Sequence, residues 1–77
     1  MIRFKVKELL VEKSFKEGRR VTLDEVSVKT GIARATLNRI ANKKGVNTNT
    51  DNLDALCAFF DVGIGDVAEY VVEEAKE

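Results

Sequence analysis

Arg34, Ala35, Thr36, Asn38 and Arg39 fall within six consecutive positions, interrupted by Leu37 and free of any acid. Each type has a use at the edge of a base pair. An Arg fork pairs bidentately with guanine, an Asn amide pairs with adenine, and Ala or the Thr methyl rests on a thymine methyl. Lys29, Lys43, Lys44 and the polar run Asn47-Thr48-Asn49 flank the five. Groups of this kind hold phosphates, which gives affinity and register without sequence information. No comparable set exists for covalent chemistry. The chain has no His and a single thiol, Cys57, so the common zinc sets and a Ser/Cys–His pair cannot be assembled within it. Gly63-Ile64-Gly65 supplies two glycines of a phosphate-binding loop, but no strand precedes it and the third glycine is missing, so it reads as a plain turn. Asp51, Asp54, Asp61 and Asp66 are too dispersed for a calcium loop and read as helix caps. The expectation is a chain with no catalytic residue, no metal ligand and no cofactor, and therefore not an enzyme.

For five side chains to act on one partner they must share a face, and the surrounding sequence is built to give them one. Thr22–Ala41 reads TLDEVSVKTGIARATLNRIA. Thr22 with Glu25 three residues later is a capping box: the hydroxyl accepts from a first-turn N–H and the carboxylate reaches back. That helix carries apolar Val26 and ends at Thr30, where Gly31 supplies the positive φ of a sharp exit. Ile32 plugs the gap before a second helix over Arg34–Asn42, whose Leu37 and Ile40 anchor it from behind. Two short helices over a Gly-containing turn are the spacing of a helix-turn-helix, about residues 22–42. The solvent side of the second helix is then Arg34, Ala35, Thr36, Asn38 and Arg39. Lys43-Lys44-Gly45 closes it, with positive charge at the negative end of the helix dipole.

The rest of the chain divides at Gly18 and at the pair Gly63/Gly65. Ile2, Phe4 and Val6 alternate with Arg3, Lys5 and Lys7, the two-residue period of a short strand. From about Lys5 the period lengthens, placing Val6, Leu9 and Leu10 on one helical face up to Gly18. A fourth helix starts at Thr50 or Asp51 and buries Leu53, Leu56 and one of the adjacent rings Phe59 and Phe60. The other ring, with Tyr70–Val72 or with Ile2 and Phe4, would sit under the terminal segments or form a subunit interface. A last helix over about Gly65–Tyr70 is amphipathic around Val67. Tyr70-Val71-Val72 is β-like and would pair with Ile2–Phe4 or with its own copy in another subunit. Cys57, beside Leu56, reads as a small buried apolar residue. The fold class expected is all-α: five helices with a short terminal ribbon.

At 77 residues the chain makes one domain, 1–77, burying about 60–65% of the surface its unfolded form exposes. Thirteen bases balance thirteen acids, which on its face disfavours a polyanion as partner. The order of the charges removes that objection. Residues 1–50 hold twelve bases and five acids; residues 51–77 hold one base and eight acids. Between Val26 and Thr50 there are five bases and no acid, a local positive potential available to a polyanion whatever the total. The acidic tail, about 71–77, solubilises or keeps DNA off the wrong side. One cysteine, no apolar run near the roughly 18 residues of a membrane span and no signal-like segment point to a cytoplasmic protein with no membrane partner.

Beside this reading from the residues stands a resemblance. FKVKELL (Phe4–Leu10), VSVKTGI (Val26–Ile32), RATLNRI (Arg34–Ile40), LDAL (Leu53–Leu56), FFDV (Phe59–Val62) and GDVAEY (Gly65–Tyr70) make the chain similar to the Cro/phage-repressor (XRE-type) helix-turn-helix family over about residues 2–71. The resemblance implies a five-helix, lambda-repressor-like domain. It implies too that the second motif helix enters the major groove and that two copies bind paired half-sites as a homodimer. Carried over by position, Arg34, Ala35, Asn38 and Arg39 face bases, Thr36 a base or phosphate, and Thr22 a phosphate. Three positions depart from the family pattern. The Gln that opens the first motif helix in many members is replaced here at Thr22 and Leu23. The small Ala inside that helix is Ser27, whose hydroxyl needs a local backbone partner. The usual Ser/Thr cap of the recognition helix is Ala33, which forgoes a side-chain bond of about 1 kcal/mol.

The function expected is a sequence-specific regulator of transcription that binds double-stranded DNA, a repressor acting by occlusion or repositioning of polymerase. The alternative is an antitoxin-like interaction module whose partner, a toxin, is met by the acidic and apolar-spotted segment Phe60–Glu77.

Overall fold

A computed structural model of the chain describes residues 1–43 and 46–72. The elements run β1 (Ile2–Phe4), α1 (Val6–Glu17), α2 (Leu23–Thr30), α3 (Arg34–Asn42), α4 (Thr50–Phe60), α5 (Ile64–Val67) and β2 (Ala68–Tyr70). Five helices with one two-stranded ribbon is the fold class the sequence implies. The terminal pairing is resolved in favour of the chain's own N-terminus. β1 and β2 are antiparallel, with Ile2 opposite Tyr70, Arg3 opposite Glu69 and Phe4 opposite Ala68. The ladder continues one residue further, where the Val71 N–H donates to the Met1 carbonyl at 2.8 Å.

That pairing corrects the reading of the C-terminal segment. The last helix is a single turn ending at Val67, not at Tyr70, and the strand is Ala68–Tyr70, not Tyr70–Val72. A four-residue helix has no propagation to hold it in competition with a ladder. The Lys5 N–H already draws the Val67 carbonyl at 2.7 Å. Gly63-Ile64-Gly65 is likewise not a free turn: Gly63 is the N-cap of α5, and Ile64 and Gly65 are its first residues.

The core is one cluster of aliphatic side chains and a single aromatic ring: Val6, Leu9, Val26, Ile32, Leu37, Ile40, Leu56, Phe60 and Val67. Every helix contributes to it. Leu53, expected to be buried, is half-buried at its edge, as is Cys57. Of the two adjacent rings, Phe60 turns inward. Phe59 stands edge-on to it at 4.9 Å between centroids, with the Lys13 ammonium 5.0 Å from its own ring centre. A lysine over a ring face is held by the ring quadrupole while its stem covers apolar surface. Phe60 is thereby withdrawn from the apolar surface that the interaction-module reading relied on.

Chain punctuation follows local rules, with two changes of partner. Gly18 and Gly31 close α1 and α2 at φ 68° and 80°, the left-handed region that glycine enters at no steric cost. α4 starts at Thr50, as its sequence implies, but Asn49 rather than Asp51 caps it, its side chain accepting from the Asn52 N–H at 2.8 Å. Of the aspartates, Asp61 closes α4 in the left-handed region at φ 57°. The capping box is half-formed. Thr22 Oγ1 accepts from the Glu25 N–H at 3.2 Å, but the Glu25 carboxylate turns to Arg19, which donates both terminal nitrogens at 2.8 and 2.7 Å.

That Arg19 fork also meets Glu17 at 2.9 Å, fastening the end of α1 to the start of α2. The hydrogen bonds from Arg19 hold the Glu25 carboxyl below the usual glutamate range. A carboxylate whose folded-state pKa is depressed adds stability above its unfolded value, and that stability is lost as pH falls through the folded one. Glu25→Gln is therefore expected to unfold over a less steep acid limb than the parent while losing stability near neutral pH. Circular dichroism during acid titration checks this, and coincident acid transitions would show the clamp to be inert.

Candidate nucleic-acid interface

The pair α2–α3 is set by a turn pinned by four hydrogen bonds. The Gly31 N–H returns to the Ser27 carbonyl at 2.9 Å. The Ser27 hydroxyl, standing where a small apolar residue is usual, donates to the Ile32 carbonyl at 2.6 Å. Thr30 donates to the Val26 carbonyl at 2.6 Å and accepts from the Ile32 N–H at 3.2 Å. Ser27 thus spans the turn itself, tying α2 to the residue that leads into α3. Ile32 is buried beneath these bonds. Ala33 opens α3 without a side-chain cap, so tertiary packing must hold this nine-residue helix, which is too short to be stable alone.

That packing is Leu37 and Ile40, both essentially inaccessible to solvent. Their burial fixes the rotation of α3. Arg34, Ala35, Asn38 and Arg39 are exposed and Thr36 is half-buried at the boundary. Ala35, Asn38 and Arg39 line one shallow depression of about 270 Å³ with Asn42 and Lys43. Arg34 stands at the other end of the helix, its Nε 2.9 Å from Asp24 Oδ1 on α2.

Asn42 was not among the residues picked from the sequence. Its amide donates to the Asn38 carbonyl at 3.0 Å and lies 3.5 Å from Asn38 Oδ1, so it borders the Asn38 head group. The signal available in advance was its spacing of four from Asn38, which stacks the two side chains on one helix face. Arg3 and Lys7 were missed as well. They line a second recess of about 200 Å³ with Phe4, Glu8, Asn42 and Lys43, so the basic rim continues from the end of α3 onto the start of α1. Nothing local in the sequence joins positions 7 and 43. Arg3 is engaged by both Glu8 and Glu69, whereas Lys7 is exposed.

The flanking residues separate into two groups. Lys29 and Lys43 are exposed, in the last turn of α2 and just past α3. Lys44 lies outside the described residues. Thr22, Thr48 and Asn49 already use an oxygen within the fold: Thr22 and Asn49 cap helices, and Thr48 Oγ1 accepts from Asn52 Nδ2 at 3.1 Å. Those bonds take acceptor capacity. The hydroxyl hydrogens and the Asn49 amide hydrogens are donors, the kind of group a phosphate oxygen needs. Asn47 is exposed, but it lines an apolar recess with Ile2, Phe4, Leu53 and Ile64 and not the depression beside Arg39.

A capped helix, a glycine turn pinned by side-chain bonds and a second helix anchored from behind make a helix-turn-helix. The model of the Cro/C1-type HTH DNA-binding domain family matches residues 5–73, and the chain belongs to that family. No curated protein and no solved structure matches it. The family is one of DNA-binding domains, which agrees with the positive, acid-free run from Val26 to Thr50.

Proposed function

We propose that this protein is a sequence-specific repressor that lays α3 in the major groove of duplex DNA and works in the cytoplasm by occluding polymerase. The observation that carries this reading is the outward face of α3. Two arginines, an asparagine, an alanine and a threonine stand over a helix whose opposite side is locked by Leu37 and Ile40. Arg34 and Arg39 would read guanine, Asn38 adenine, and Ala35 and Thr36 a thymine methyl or an adjacent phosphate. Thr22, Lys29, Lys43, Lys44, Asn47, Thr48 and Asn49 would fix the register on the backbone, with Lys7 extending that rim.

Selection of bound duplexes from a random pool, followed by footprinting, tests the proposal directly. A recovered motif with guanine positions protected in the major groove supports it. Recovery of no consensus would reduce the protein to a non-specific binder. A Lys7→Ala/Lys43→Ala double variant is expected to weaken all sequences alike. It should lower the steepness of the salt dependence by about one to two ion equivalents, since each phosphate contact contributes roughly 0.9 to that slope. Loss confined to the selected sequence would contradict a backbone role for these lysines.

The same reading has the protein act as a homodimer on half-sites about 34 Å apart, one turn of the duplex. The ribbon supplies an apolar surface for it: Ile2, Phe4, Ala68 and Tyr70 share one face, since cross-strand partners point the same way, and Ile2 and Tyr70 are exposed. Sedimentation of the free and DNA-bound protein is expected to give two chains per operator; a monomer in both states would remove the dimer.

A further inference from the structure

The bonds between the termini fix which backbone groups of β2 are left over. Met1 and Val71 exchange both of theirs, the Val71 N–H donating to the Met1 carbonyl at 2.8 Å and the Met1 ammonium to the Val71 carbonyl at 3.1 Å. At the other end of the ladder the Lys5 N–H donates to the Val67 carbonyl at 2.7 Å. Bonded and unbonded pairs alternate along an antiparallel ladder. Arg3 and Glu69 therefore turn toward each other, while Ala68 and Tyr70 turn their N–H and C=O groups away from β1. The Ala68 N–H is spent on the Ile64 carbonyl at the end of α5. The Ala68 carbonyl and both groups of Tyr70 have no backbone partner among the described residues. Val72 is the next residue to reach this edge, and Tyr70 and Val72 are 72% and 71% exposed.

An open strand edge is a template for a further strand, and proteins commonly blunt it with lysine, proline or a bulge. Ala68–Val72 has neither lysine nor proline. The edge of β1 is not equivalent, because β1 borders Asn42 and Lys43 at the end of α3, on the side given to DNA.

The edge of β2 is complementary to itself. Its outward positions, Ala68, Tyr70 and Val72, are centred on Tyr70. A two-fold axis there lets each copy donate the Tyr70 N–H to the partner's Tyr70 carbonyl and the Val72 N–H to the partner's Ala68 carbonyl. Glu69 then stands opposite the partner's Val71. An axis at Glu69 is worse on both counts: it sets two carboxylates face to face, which destabilises a strand pair, and it calls on the Ala68 N–H that α5 already holds. With the axis at Tyr70, Ala68, Tyr70 and Val72 of both copies share one face with Ile2 and Phe4, beside the apolar recess of about 360 Å³ that Leu53 and Ile64 help to line.

Resting on the homodimer reading, we infer that two copies join through the open edges of β2, giving a continuous four-stranded antiparallel sheet with Tyr70 on the axis. So short an edge makes a weak dimer in free solution, and paired half-sites strengthen it by holding both copies close.

The test is cross-linking by position in a Cys57→Ala background, which removes the natural thiol. Across the axis the two Tyr70 Cα atoms would stand about 5.5 Å apart, inside disulfide reach. The two Glu69 residues would be diagonal, at roughly 7–8 Å and outside it. Tyr70→Cys is therefore expected to give a covalent dimer under mild oxidation, faster on the operator, and Glu69→Cys to remain single. Cross-linking of Glu69→Cys in preference, or of both alike, overturns the register and the pairing with it.

Tyr70→Pro reads the backbone separately. It removes the outward N–H but no bond of the β1–β2 ladder, and proline is tolerated on such an edge. It is expected to keep the parent's urea midpoint and to bind the operator about a hundredfold more weakly, the low end of what joining two contacts adds. Tyr70→Thr keeps the N–H and is expected to retain two chains per operator. Parent-like operator affinity in a folded Tyr70→Pro overturns the edge pairing; if that variant's midpoint falls, the two cysteine positions decide. Sedimentation of the parent separates this from the dimer itself. Two chains per operator with neither cysteine cross-linking leaves the homodimer and removes the edge pairing, whereas one chain per operator removes both.

Discussion

Leu37→Ala is expected to destabilise the protein by about 2–5 kcal/mol, the cost of truncating a fully buried leucine where neighbours relax only partly. Leu37 is completely inaccessible and belongs to the same cluster as Val26, Ile40 and Leu56. A domain of this length has roughly 4–11 kcal/mol of stability in all, so the variant would stand near the edge of folding at physiological temperature. Alanine is the better helix former, so local helicity gives no competing explanation. The loss would be one of packing between α3 and the helices behind it. A fall in the urea midpoint with an unchanged slope checks the expectation. A loss below about 1 kcal/mol would mean that α3 is not held by its buried face.

The second large effect falls on the opposite side of the same helix. Arg39→Ala is expected to weaken binding to the selected operator by about 1–3 kcal/mol and to relax the preference at one base position. Arg39 is exposed, borders the depression beside Ala35 and Asn38, and among the described residues meets no carboxylate. Its whole fork is thus available to DNA. Removing a surface arginine from a helix in favour of alanine leaves the fold intact, so the urea midpoint should not move. Titration at fixed salt against the operator and its single-base variants reads the effect. Equal affinity for all of them, parent and variant alike, would remove Arg39 from the set of base contacts.

These two variants separate what the two faces of α3 do, and both faces were legible in the sequence for a simple reason. Leu37 and Ile40 lie three apart, the spacing that puts side chains on one side of a helix, and the remaining positions have nowhere to go but outward. The limits of α3 at Arg34 and Asn42 were legible too. Gly31 and Ile32 before it and the Lys43 break after it are local signals, acting over three or four residues. The terminal ribbon was readable only as an alternative. Alternation marks a strand, but it does not say which strand pairs with it, and Ile2 and Tyr70 are 68 positions apart. The reading of α5 went wrong by the same gap: Ala68–Tyr70 are acceptable in a helix, and the ladder with Ile2–Phe4 took them.

Charged side chains were the least legible part of the site. Glu25 satisfies a capping motif on paper, yet Arg19 is close enough in space to offer two donors where the backbone offers one. Lys7 and Lys43 border one recess although 36 residues separate them, and Asp24 meets Arg34 across the turn. Long flexible side chains have no period of their own and go to the strongest accessible partner.

The sequence by itself determined the helix-turn-helix, the rotation of its second helix and the acid-free run from Val26 to Thr50, because caps, glycine turns and apolar spacing act over one helical turn. Tertiary structure alone decided the pairing of the two termini, the inward turn of Phe60, the reach of the basic rim onto α1 and the partner of Arg34. Each of those depends on which distant residues are brought together when the core closes, and that proximity has no counterpart in the order of the amino acids.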